Sequence, residues 1–378
     1  MRLLSIRLAG YRSFAARGPS APERPLQLLQ LAPLTILIGK NNSGKSNVAR
    51  LCHHVLLALG TDGNDPFPMK GNRRSFGASF RDVQHGGNFF NPLDFQLELV
   101  SDDGARTTFE ARISQQDDFA GDVPPVLEKS IVNGQPGSIR SESLRIEARK
   151  LLDASCHLGP VRDAIKPIYP LLSSSRFEFP ETDESVAQML NADGELRTAI
   201  GLWTATNLNG WRLDVQQTLD TLKIVARRGG REGNLADFGQ GIQHVLPVAT
   251  LCCWRNLGRG GHPFLDIIEQ PELHLHDAAH APLGDLLLST VAGSRGNILV
   301  ETHSESLVLR IRRRIAEGLV SPDQVALLYV EDTAEGSRLQ PVQINGDGEV
   351  DWWPEGVFSE AFVEVKAIRR AQRKKAAA

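Results

Sequence analysis

Cysteine is scarce: the 378 residues hold four, Cys52, Cys156, Cys252 and Cys253, and no C-x-x-C pair. That excludes a disulfide-stapled scaffold and leaves buried thiols in a reducing cytosol as the expectation. No apolar run approaches the roughly 20 residues of a membrane span. Met1 to Ile6 already alternates like a strand, so no signal peptide is expected, and the protein reads as cytoplasmic with no membrane partner. The net charge of −3 gives no whole-molecule attraction for nucleic acid, so any such contact must use a local patch. Repeat periods and long heptad runs are missing too, which removes solenoids and coiled coils. No Ser-His-Asp or Cys-His nucleophile arrangement stands out. The chain is 41% apolar and 23% charged, ordinary for a globular protein with ample core.

The most informative segment is Gly39-Lys40-Asn41-Asn42-Ser43-Gly44-Lys45-Ser46, a complete G-x-x-x-x-G-K-S loop. Leu34 to Ile38 before it is a short apolar β-run. Asn47 to Leu59 after it has helical spacing, with Val48, Leu51, Cys52, Val55, Leu56 and Leu59 on one side. Strand, glycine loop, helix is the setting in which backbone N–H groups converge on a phosphate and a helix N-terminus adds positive potential. Lys45 is expected on the β/γ oxygens and Ser46 on Mg²⁺.

Pro263 to Glu272 reads as an apolar strand ending in acids. Glu269 at its end can hold the Mg²⁺ shell. Asp266 falls mid-run, where a carboxylate would be buried away from the metal. Gly296 to Ser304 is another strand with a polar tip. His303 there either bonds the γ-phosphate or attacking water, or is a satisfied structural residue. Asn234 to Pro247, with Gly239-Gln240-Gly241, places glycines before an apolar helix. Glu272, His274, His276 and His280 would offer zinc an i, i+4 pair if helical. Leu93–Ser101 and Thr107–Ser114 read as a hairpin across Asp102-Asp103-Gly104, residues 115–140 as polar loop, and Leu144 to Leu158 as a strand. Helices are expected around Glu184–Leu190 and Glu195–Leu208.

The order of these motifs resembles the ATP-binding-cassette-type ATPases, which include structural-maintenance-of-chromosomes (SMC) and RecF-like proteins and the ATPase half of the overcoming-lysogenization-defect nucleases. One bacterial branch, AAA-family ATPases with a C-terminal domain of unknown function, is especially similar. Its elements read here as Asn42 to Ser46, Leu158-Gly159-Pro160-Val161-Arg162, Glu269 to His276, and Trp353-Pro354-Glu355-Gly356-Val357-Phe358. The resemblance implies an α/β fold: a P-loop core with an antiparallel β-arm and a small helical lobe. It implies ATP and Mg²⁺ held in a head-to-tail dimer or higher assembly. Gly39 to Ser46 and Asn47 of one copy would bind ATP, and the Gly239-Gln240-Gly241 signature loop of the other would cap it. His303 resembles the switch histidine, and the box accounts for Glu272, His274 and His276 without zinc. Gln84 stands where a loop glutamine touches Mg²⁺, beside Ser46 and Glu269. Arg12 stands where relatives carry a base near the nucleotide, although an exposed turn cation explains it equally.

Three departures qualify that picture. The expected Asp-Glu pair is Glu269-Gln270, and an amide can orient water but cannot take its proton. Slow hydrolysis is expected unless Glu272 or His303 substitutes. The signature loop lacks its usual serine, with Phe238 near that place. The box ends His276-Asp277 rather than His-Pro. The expected division is 1–115, the first half of the core with the β-arm; 116–230, an inserted lobe; 231–335, the second half of the core; and 336–378, a tail. Residues 305–378, which follow the ATPase motifs, are too few for a nuclease domain, so a nuclease effector would be a separately encoded partner. Basic stretches at Arg310–Arg314 and Lys366–Lys375 are solvated helix faces or nucleic-acid contacts. Three functions fit: an ATP-driven dimerising switch in phage defence or genome maintenance, a non-hydrolysing scaffold, or a RecF-like DNA binder.

Overall fold

A computed structural model describes residues 1–378 except 18–24, 62–64, 72, 89–90, 102, 116–124, 138–141, 173–178, 262, 295, 359 and 377–378. Pro19, Pro22, Asp102 and the end of the alanine tail therefore lie outside the described residues. The chain runs β1 (Arg2–Ala9), β2 (Gln27–Gln30), β3 (Leu34–Ile38) and α1 (Lys45–Gly60). It continues through β4 (Leu93–Val100), β5 (Arg106–Ser114), β6 (Val126–Val132), β7 (Gln135–Pro136), α2 (Glu142–Asp153), β8 (His157–Leu158) and β9 (Tyr169–Pro170). Then come α3 (Asp183–Ala192), α4 (Gly194–Asn207), β10 (Arg212–Gln217), β11 (Thr221–Arg228), β12 (Arg231–Asn234) and α5 (Gln240–Asn256). The last part holds β13 (Leu265–Glu269), α6 (Asp277–Val291), β14 (Asn297–Glu301), α7 (Glu305–Ala316), β15 (Val325–Thr333), β16 (Gly336–Val342) and α8 (Glu360–Ala376).

The central sheet has the order β16-β15-β3-β14-β13-β8 and is parallel apart from the antiparallel edge strand β16. Its middle strands are buried on both faces, which is why they read as continuous apolar runs. Side chains alternate between two cores: Leu34, Ile36 and Ile38 face one and Leu37 the other. The arm is the antiparallel sheet β2-β1-β4-β5-β6-β7, and a third sheet carries β10, β11 and β12. Two lines drawn from sequence cross paired strands. β6 pairs β5 across the division at residue 115, and β16 pairs β15 across that at 335.

Two local readings are corrected. Residues 142–153 are helix α2, with only His157–Leu158 extended. The buried stripe Leu144, Ala148, Leu151, Leu152 has helical spacing, while Ile146 between them is 42% exposed. The polar stretch 115–140 contributes β6 and β7, strands that lie mostly at the solvated end of the arm. Among the described residues no helix is long and apolar enough to cross a membrane.

Candidate functional site: a phosphate loop over paired carboxylates

The site lies at the C-terminal ends of β3, β13 and β14, where loops of a parallel sheet converge. The phosphate loop leaves β3 and enters α1 through Gly44, whose φ of 101° is a left-handed conformation that glycine alone adopts cheaply. Gly39 is pressed on its carbonyl neighbour: a β-carbon there would lie 2.4 Å from the Val330 oxygen. The loop is braced from the C-terminal hairpin, with Ser337 Oγ donating to the Ser43 carbonyl at 2.6 Å. Asn47 Nδ2 donates to Ser13 Oγ at 2.9 Å, which ties the start of α1 to the turn after β1.

Lys45 is buried and donates to the carbonyls of Gly39 (3.1 Å) and Lys40 (2.8 Å). Burial draws its ammonium below the usual lysine value, opposed by Glu301, which lies 3.8 Å away. Ser46 Oγ donates to Glu301 Oε2 at 2.6 Å. Glu301 and Glu269 are register partners across β14 and β13, so two carboxylates stand side by side beneath Ser46. Their surroundings shift them in opposite directions. Burial raises both, but on Glu269 the hydrogen bond from His157 (2.7 Å) and the charge of Arg50 (3.4 Å) win, holding it below the usual range. Glu301 stays raised by burial.

Beyond the strand end the chain turns sharply. Gln270 has φ 46° and its N–H donates to the Glu301 carbonyl at 2.7 Å. The buried Arg162 guanidinium donates to the Glu269 carbonyl at 2.6 Å and those of Gln270 and His244 at 3.3 Å. Glu272 Oε1 accepts the His303 N–H at 2.7 Å, and burial raises its carboxyl. His303 is drawn below the usual imidazole value by burial and then by Lys45, so its ring is neutral near pH 7. Gly239 opens α5, and Gly241 abuts the turn: a β-carbon there would sit 2.4 Å from the His274 oxygen. The side chain of Gln240 is exposed.

The structure thus brings Lys45, Ser46, Glu269, Gln270, Glu272 and His303 to one sheet end. Arg12 is committed elsewhere, donating to the Phe76 carbonyl. Gln84 is buried, bridges Tyr11 through its backbone and donates to the Asn91 carbonyl at 3.0 Å. Asp266 is paired with Arg255 at 2.8 Å inside the core. The zinc grouping does not form: His276 caps α6 through Nδ1, His280 bonds Ser304 and the Leu275 carbonyl, and no cluster of three or more His, Cys, Asp or Glu suited to a metal occurs among the described residues. Four residues of the site had no role assigned from sequence: Glu301, Arg50, His157 and Arg162. Arg50 carried a signal, since it follows Ser46 by four residues on α1. Glu301 had the same strand-end position as Glu269.

The donor set fits a triphosphate with Mg²⁺. Ser43 Oγ is fully buried with no hydrogen-bond partner, and Lys45 spends its protons on loop carbonyls that phosphate oxygens would displace. The Ser46 hydroxyl and two adjacent carboxylates are hard oxygen ligands.

A family model described as "AAA domain, putative AbiEii toxin, Type IV TA system" matches residues 34–310. A second, described as "Protein of unknown function (DUF3696)", matches residues 320–367. None of the curated proteins matches. Among solved structures, an SMC head bound to the C-winged helix domain of ScpA is 13% identical over 91% of this chain and 98% of its own, at a TM-score of 0.60. The SMC head domain from Thermotoga maritima is 14% identical over 91% and 100%, at 0.51. An Smc head with an extended coiled coil, bound to the C-terminal domain of ScpA derived from Pyrococcus furiosus, is 10% identical over 97% and 99%, at 0.57. The fold is therefore the mixed α/β P-loop fold of SMC heads.

Proposed function

The chain belongs to the AAA-domain family described as putative AbiEii toxin, Type IV TA system, and from that premise we propose that it is an ATP-binding, slowly hydrolysing dimerisation switch that controls a partner effector or a DNA transaction. The observation that carries this reading is the phosphate loop standing over Glu269 and Glu301 with an amide, Gln270, in the next position. Lys45, which now donates to the Gly39 and Lys40 carbonyls, would hold the phosphate oxygens, and the Ser46 hydroxyl would be a ligand to the metal. Mg²⁺ when bound neutralises charge on the β/γ-phosphates. Gln270 orients the attacking water without accepting its proton, and Glu272 fixes the backbone of His303 by accepting its N–H. Loss of a general base costs about 10²–10⁴-fold, so the ATP-bound state persists. A second copy supplies Gly239-Gln240-Gly241 at the helix N-terminus of α5 to cap the γ-phosphate.

The similar SMC heads include two bound to pieces of ScpA, which supports reading a protein as the partner here. The effector on this reading is a separate chain such as a nuclease, in phage defence or genome maintenance. Steady-state ATP turnover and solution size test the reading. Wild type should turn over slowly and double in mass with ATP–Mg²⁺, Lys45→Ala should do neither, and Gln270→Glu should turn over at least tenfold faster. A wild type that neither binds ATP nor changes mass overturns it. Turnover appearing only in Gln270→Glu would mark the non-hydrolysing scaffold instead. Salt-sensitive DNA retention lost on neutralising the α8 cations would mark the RecF-like alternative.

A further inference from the structure

Glu301 is a carboxylate that the ATPase reading does not require. That reading needs one acid at a strand end, and Glu269 supplies it. Yet Glu301 sits closer to the loop: its Oε2 accepts the Ser46 proton at 2.6 Å, and its Oε1 lies 3.8 Å from Lys45 Nζ. It is 5% exposed, so water cannot screen it. A hydroxyl that gives its single proton to Glu301 keeps both lone pairs for a cation. Resting on the ATP-binding reading, we infer that Glu301 is a second acid of the metal site, acting with Ser46 and Glu269 to make nucleotide binding depend on a divalent cation.

Charge bookkeeping around the site supports this. In the structure each carboxylate has a cation, Lys45 beside Glu301 and Arg50 beside Glu269, and Glu269 has a hydrogen bond with His157 as well. A plain structural role for Glu301, neutralising Lys45 and capping Ser46, accounts for that resting state. It does not survive the arrival of a triphosphate. Lys45 is then drawn to the phosphates, and Glu301 is left buried beside Glu269 and several phosphate charges. A divalent cation held by both carboxylates would relieve that repulsion without Glu301 having to take up a proton. The carboxylate therefore penalises metal-free ATP and rewards the metal complex.

The test is calorimetric titration of ATP into wild type, Glu301→Gln and Glu269→Gln, each in MgCl₂ and in EDTA, with thermal melting as the folding control. For wild type the Mg²⁺ enhancement of affinity should be large. In Glu301→Gln it should fall by about 10–100-fold, the range for losing a partner of a metal site. Metal-free ATP should bind the variant more tightly than wild type, a gain that a merely structural role does not predict. An enhancement equal to wild type in a folded Glu301→Gln overturns the inference while leaving ATP binding intact. A wild type that ignores ATP under both conditions overturns the function on which it rests. If Glu301→Gln does not fold, Glu301→Asp is titrated. Its shorter arm should weaken Mg²⁺-supported binding more than Ca²⁺-supported binding, and an unchanged ratio counts against the inference.

Discussion

The residue that organises the site from outside is Arg162. Its guanidinium joins three carbonyls, from Glu269, Gln270 and His244, and so ties the end of β13 to α5. It is 9% exposed, and burial brings its pKa down to about 10, so it remains a cation at neutral pH. Replacement by methionine keeps the bulk and leaves buried acceptors unpaired, at about 1–3 kcal/mol each. Arg162→Met should melt several degrees lower and lose ATP turnover more than ATP affinity, because the turn carrying Gln270 loosens while the phosphate loop does not. Equal losses in both would place Arg162's effect elsewhere. The sequence offered Arg162 only as part of a motif, with no partner visible. Lys45 and Ser46, by contrast, were legible because their roles are set by a loop of fixed spacing.

Two histidines on α1 set the acid limit. His54 is buried against Phe67 and Phe76, and burial holds its pKa down to about 3; His53 is likewise well below the usual value. In the unfolded chain both return to about 6.5. The unfolded state therefore takes up protons that the fold refuses once pH drops below that value, and stability falls as pH falls. The slope is at most about 1.4 kcal/mol per pH unit for each histidine. Glu272 and Glu301, raised by burial, act with the opposite sign, losing stability as pH rises above the ordinary carboxylate range. Comparing wild type with His54→Asn between pH 7.5 and 5 cancels the carboxyls. The variant should show a shallower acid decline in melting temperature, and an identical decline would refute the assignment.

Among the elements, α5 is packed tightly on the turn that follows β13. Gly241 in its first turn has no room for a β-carbon, which would meet the His274 oxygen at 2.4 Å. Gly241→Ala must push α5 from the turn at 270–275, at a cost of about 1–3 kcal/mol. If α5 caps nucleotide on a second copy, the same variant should bind ATP as a monomer but fail to double in mass; normal doubling would argue against that contact. The elements that could be read from sequence were those with one dominant period. β3, β13 and β14 are short apolar runs because both faces are covered. α2 was misread because its stripe is narrow and the apolar segment runs on past it into the extended β8. The arm strands β6 and β7 were missed because their pattern is polar: a strand at the solvated end of a sheet has little apolar face to announce it.

For the whole molecule, the two cores on opposite faces of the central sheet meet through β3, β13 and β14, so the loop, the carboxylates and His303 sit on one layer. Long-range contact was the part a single sequence could not carry. Glu301 and Ser46 are 255 residues apart, and nothing local in either segment announces the other. The basic helix α8 turns exposed side chains outward over residues 363–373, including Val363, Val365 and Ile368. Deleting residues 360–378 should leave ATP affinity and melting temperature within experimental error and reduce retention of a polyanion such as heparin or DNA at low salt. Unchanged retention would show that these cations serve solvation alone.

The Trp-Pro-Glu-Gly segment has a practical corollary. Gly356 comes up against Lys40, with a β-carbon there 3.5 Å from Nζ, and Ser337 of β16 donates to the Ser43 carbonyl. Trimming the gene after residue 335 to obtain a minimal catalytic fragment would strip the scaffolding from the very cradle it was meant to preserve. Reporter tags and affinity handles belong away from residues 336–358, and ligand screens are best read on a chain that keeps this segment.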